Sequence, residues 1–142
     1  MYETGHYSQC VSGIIDSFHS FLDYLFLVHI TNKSLKKELK DNPGDYNSKD
    51  KTTWLFEMVA GKTLKQLLHE NSKQDLYVLY KKYRNLRTKI AHPAHSGGPD
   101  VTYEDARKAC KTIVDIIDLI RQKILKDDAF DLFLFSLKHY FH

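Results

Sequence analysis

Between residues 7 and 29 the apolar positions fall at Cys10, Val11, Ile14, Phe18, Phe21, Leu22, Leu25 and Val28, with Ser12, Asp16, His19 and Asp23 between them. Steps of three and four describe one face of a helix, so the pattern predicts a long first helix. Its last two turns, Leu25 to Val28 with Ile30, are apolar on nearly every side and must be buried or meet a partner. A segment of about ten apolar residues is expected to be too short to cross a bilayer.

Beyond it, residues 34–40 predict one or two helical turns, stopped by the turn sequence Asp41-Asn42-Pro43-Gly44-Asp45, and a polar linker runs on to Lys51. Helical spacing returns from Thr52 through Trp54, Leu55, Met58 and Val59, breaks at Gly61, and resumes from Thr63 to about Ser72. This predicts two short helices or one bent helix. Residues 73–91 place Leu76, Leu79, Tyr83, Leu86 and Ile90 on one face, with Arg84 and Arg87 at its edge. Pro93 to Val101, containing Gly97-Gly98-Pro99, predicts a loop. Thr102 stands as an N-cap with Asp105 in the capping-box position, and the helix it opens runs to about residue 126 along Ala106, Cys110, Ile113, Val114, Ile117, Ile120 and Ile124.

Nowhere does an alternating pattern survive. The expected fold is therefore all-α, an up-and-down bundle of four to five helices in one domain over residues 1–142. A chain of 142 residues can bury one core without disulfide or metal support. Cys10 and Cys110 lack ligand spacing and read as small apolar packing groups. Residues 129–142 carry Phe130, Leu132, Phe133, Leu134, Phe135, Leu137, Tyr140 and Phe141, surface that must complete the core or form a dimer contact. Lys138 is the one fixed cation of that segment, a poor match to a membrane-surface helix, and no membrane partner is expected. The N-terminus shows no basic stretch followed by an apolar run, so a cytoplasmic location is expected.

Net charge is +3, too mild to demand a polyanion by itself. Its distribution says more. Lys81, Lys82, Arg84, Arg87 and Lys89 fall within nine residues without an acid, interleaved with Tyr77, Tyr80 and Tyr83. Cations and aromatic rings in alternation suit a flexible RNA strand, through phosphate pairing and base stacking. The same pattern also describes a solvated helix face with lysine stems laid along it.

Within that segment Arg87-Thr88-Lys89-Ile90-Ala91-His92 sets an arginine five residues before a histidine, and Pro93 disfavours further helix, leaving His92 at the helix end. An arginine there can hold a phosphate and a histidine can move a proton. A long helix ending in Arg-x4-His, then a loop and a second long helix, resembles the HEPN family (higher eukaryotes and prokaryotes nucleotide-binding domains), and Ile90-Ala91-His92-Pro93 is similar to the family's usual ending of that helix.

The resemblance implies a metal-independent endoribonuclease, with Arg87 and His92 catalytic and no cofactor or metal. It implies RNA as partner, a homodimer that sets two Arg-His pairs on one cleft, and a setting as a toxin or antiviral defence effector with a possible antitoxin or larger defence-system subunit. Arg84, Thr88, Lys89 and His95 are the candidates for holding the RNA. Thr88 stands where the family often has Asn. Ala94 stands where toxins paired with nucleotidyltransferase antitoxins often carry a modified tyrosine, so that antitoxin mechanism is not expected. His92-x2-His95 straddles a proline with no carboxylate until Asp100, a poor metal ligand set. Two other readings remain: a catalytically inactive HEPN-fold module that binds RNA or protein, and a plain helical adaptor in which both residues serve the fold.

Overall fold

A computed structural model of the protein describes residues 2–94 and 97–125, and the side chains of residues 2–5 are outside the description. All regular structure among the described residues is helical; the one bridge, Ala94 with Gly97, is isolated. The described residues form seven α-helices: α1 (Tyr2–His29), α2 (Lys33–Asp41), α3 (Ser48–Thr52), α4 (Trp54–Ala60), α5 (Leu64–Glu70), α6 (Gln74–Ala91) and α7 (Tyr103–Ile120). The helices divide into two compact units, one of Met1–Asp16 with Asp75–His142, the other of Ser17–Gln74, and α1 runs through both.

The first unit is built from the start of α1, α6 and α7. Its core holds Cys10, Val11, Ile14 and Ile15 from α1, Leu76, Tyr80 and Tyr83 from α6, and Ile113, Val114, Ile116 and Ile117 among others from α7. Burial in α7 runs past the predicted stripe, taking in Ala109, Thr112 and Leu119, and the Thr112 hydroxyl is satisfied by the Lys108 carbonyl at 2.7 Å. Thr102 caps α7 in the box predicted for it: its hydroxyl accepts from the Asp105 amide at 3.1 Å while its own amide donates to Asp105 Oδ2 at 3.1 Å. The α-helix ends earlier than the apolar spacing suggests, and Arg121–Leu125 continue as a π-helical turn. The tail, residues 129–142, lies outside the described residues.

In the second unit Phe18, Phe21, Leu22, Leu25 and Phe26 of α1, with Ile30 just past its end, join Leu55, Phe56, Leu64, Leu67 and Leu68 in the core. Leu25 and Phe26 are buried as expected of the apolar end of α1, whereas Val28 is 49% exposed. The linker before Lys51 is not all linker. Asn47 and Asp50 form a reciprocal capping box at 2.9 and 3.1 Å and start α3. Gly61 ends α4 with φ +76°, a left-handed conformation that a side chain would strain, and Thr63 recaps the chain into α5. Taken whole, the stretch His6–His29 is long and apolar enough to cross a membrane, a property it shares with core helices, and its Asp16 and Asp23 each pair with a cation.

Candidate active site

Helix α6 begins behind Ser72, whose φ of 57° turns the chain, and ends because Pro93 cannot continue it. One further backbone bond survives the stop: the His92 amide still donates to the Thr88 carbonyl at 2.9 Å. His92 is therefore the terminal residue of the helical ladder, and its ring is exposed with no partner among the described residues. The loop that follows is held at both ends. The Gly97 amide donates to the Ala94 carbonyl at 2.9 Å, Gly97 takes φ +104°, and Val101 is buried just before the Thr102 cap.

Arg87 extends the buried stripe Leu76–Tyr80–Tyr83 by one turn toward the helix end. There it meets α1: Nε donates to Asp16 Oδ1 at 2.9 Å and Nη2 to Oδ2 at 3.4 Å, a forked pair that fixes the plane of the guanidinium. The side chain is still 37% exposed, and Nη1 has no hydrogen-bond partner among the described residues. Arg87 and His92 are not carried to one side by the helix. Five residues rotate about 140° around the axis and advance roughly 7.5 Å along it. What α6 brings together is Arg87 with Asp16.

The other candidates sort in the same way. Arg84 lies over the buried ring of Tyr80 at 5.7 Å, and its charge and hydrogen bond partly offset the burial that pushes the Tyr80 phenol up to about 12. Thr88 gives its hydroxyl to the Arg84 carbonyl at 3.2 Å, a bond back to the helix that occupies its hydrogen. Lys89 is exposed with no partner among the described residues. His95 lies outside the described residues. Among those described, no cluster of three or more histidine, cysteine or acidic residues could hold a metal.

The aromatic half of the expected RNA surface is corrected by burial. Tyr80 and Tyr83 are both 0% exposed and serve the core, so neither can offer its face to a base. Tyr77, half-buried with Lys81 Nζ 5.8 Å from its ring, is the remaining ring of the three. Tyr83 carries a buried hydroxyl with no hydrogen-bond partner among the described residues, and burial together with the charges of Asp105 and Glu104 raises its pKa. Asp16 escaped sequence reasoning because it lies 71 residues from Arg87 and sits on the polar side of its own helix; no spacing rule links the two.

No protein-family model matches the chain, and neither a curated protein nor a solved structure does so.

Proposed function

We propose that the protein is a metal-independent endoribonuclease, a HEPN-like helical bundle whose chemistry resides at the C-terminal end of α6. The observation that carries this reading is the pairing of two differently prepared groups in one short segment. Arg87 is oriented by a forked bond to Asp16 with one edge left open, and His92 is exposed at the helix stop. Around them α6 has no acid after Asp75, so a phosphate diester approaches without repulsion from its own helix.

RNA brings its own nucleophile. In the proposed step the 2′-oxygen attacks the adjacent phosphorus, its proton passes to the His92 imidazole, and the bond from phosphorus to the 5′-oxygen breaks. The open Nη1 edge of Arg87 would neutralise the charge gathering on the non-bridging oxygens. The leaving 5′-oxygen must take up a proton, and one neutral imidazole cannot serve as base and acid in the same step. A homodimer supplies a second His92, already protonated, and a second Arg87. This removes the need for one chain to turn both residues to the same side. The products are a 2′,3′-cyclic phosphate and a 5′-hydroxyl, and a cytoplasmic toxin or defence effector is the setting the motif suggests.

A second reading is favoured by a specific feature, the roughly 140° that separates Arg87 from His92 on one helix. On this reading Arg87 braces α6 against α1 and the domain binds RNA, or a protein partner, without cleaving it. End-group analysis separates the two. Total RNA incubated with the protein in EDTA should yield fragments bearing cyclic phosphates and free 5′-hydroxyls. Intact RNA that nevertheless co-purifies with the protein favours the binding module, and fragments with 5′-phosphates would contradict the proposed step.

A further inference from the structure

The basic residues of α6 do not form one cluster; burial divides them between two sides of the helix. Arg84 and Arg87 turn toward the protein and are engaged by Tyr80 and Asp16. Lys81, Lys82, Asn85, Lys89 and His92 are all exposed. At about 100° per residue these five fall within a sector roughly 100° wide, and from first to last they extend along about 16 Å of helix. We infer that this solvent-facing ridge of α6 is a track for the backbone of a single-stranded RNA.

Charge names the class of partner. The ridge offers three lysines and a histidine, and α6 carries no acid beyond Asp75 in its first turn. The lysines on it are only lightly committed, Lys81 to the Tyr77 ring at 5.8 Å and Lys82 to the Tyr83 ring at 5.4 Å. Lys89 has no partner among the described residues. Ammonium groups on flexible stems serve phosphates as point charges and do not read bases in a fixed plane, which suits an irregular strand. Tyr77, half-buried beside Lys81, keeps part of its ring open as a platform for one base, the combination of cationic groove and ring used for strands without sequence preference. The inference moves the backbone contacts from Arg84 and Thr88 to Lys81, Lys82 and Asn85, and keeps Lys89. It shares with the proposed function the premise that RNA is the partner, and it does not require cleavage.

The test uses a short fluorescein-labelled RNA with 2′-O-methyl sugars, which lacks the nucleophile, so that anisotropy reads binding alone. Wild type should bind with an affinity that falls steeply with salt. The combined variant Lys81→Gln/Lys82→Gln/Lys89→Gln should bind at least about tenfold more weakly, and its log–log salt slope should be smaller by about 2, at roughly 0.7 per phosphate contact on a single strand. Arg84→Gln should stay within about twofold of wild type, since a single committed side chain off the track contributes little to it. Circular dichroism of each variant establishes that the helix is intact. The inference is overturned by a wild type that does not bind, by an unchanged triple variant, or by a polyglutamate peptide of equal charge that displaces the RNA at equal concentration. Binding that follows the expected pattern while unmodified RNA stays uncut would defeat the nuclease reading and leave the track standing.

Discussion

Exchanging Asp16 for Asn tests the least expected feature of the site, the forked pair that aims Arg87. Two charges 2.9 Å apart attract strongly in a dry interior, but these side chains are 37% and 52% exposed. Solvent screening brings such a pair down to about 0.5–1 kcal/mol, the upper part of the range for exposed pairs because both nitrogens engage. A double-mutant cycle of Asp16→Asn and Arg87→Gln, read by urea unfolding, should return a coupling of that size that shrinks as salt is added. A coupling above about 2 kcal/mol would mean a desolvated pair. None at low salt would mean that α1 does not hold Arg87 in solution. Either result refutes the account of how the guanidinium is oriented. On the proposed function, Asp16→Asn keeps the charge that binds phosphate and loosens its aim, so kcat should fall several-fold more than KM rises, and Asp16→Glu should recover part of the loss.

The buried hydroxyl of Tyr83 has no partner among the described residues, so Tyr83→Phe should raise stability by about 1 kcal/mol in chemical unfolding; a loss of that size would show that the hydroxyl is bonded. Tyr80 has its phenol pushed up to about 12 from 10, so the fold favours the protonated ring. The stability it contributes is complete below pH 10 and is lost as the pH rises to 12, about 2–3 kcal/mol in all. Tyr80→Phe should lack that part of the alkaline decline, and an identical decline in both proteins would contradict the burial. Thr102→Ala removes the α7 cap and should cost about 1 kcal/mol in thermal or urea unfolding; no change would mean that Asp105 alone holds the helix start.

Helices were legible wherever one face is buried and the ends are punctuated. The stripe of α7, the Thr102 box, the Gly61 stop and the limit that Pro93 sets on α6 all follow from local chemistry acting within a few residues. The same rules could have found α3, since Asn47 and Asp50 stand at capping-box spacing, but five residues carry no periodicity to attract notice. Local reasoning failed where the third dimension decides. Tyr80 and Tyr83 alternate with lysines in sequence and read as a stacking surface, yet the helix turns both rings into the core. Asp16 is a polar residue on a polar face until α6 is packed beside it. The candidate pair Arg87 and His92 is visible as a motif, but that one is held by α1 and the other faces solvent is a fact of the fold.

The central claim is that the end of α6 cleaves RNA through His92. Its most direct test is single-turnover cleavage of a labelled RNA in EDTA by wild type and His92→Ala, with both proteins verified as folded and RNA binding measured in parallel. Loss of a positioned proton-transfer group predicts a rate at least about a hundredfold lower for the variant, with its binding weakened far less. Equal cleavage by the two proteins would contradict the claim outright.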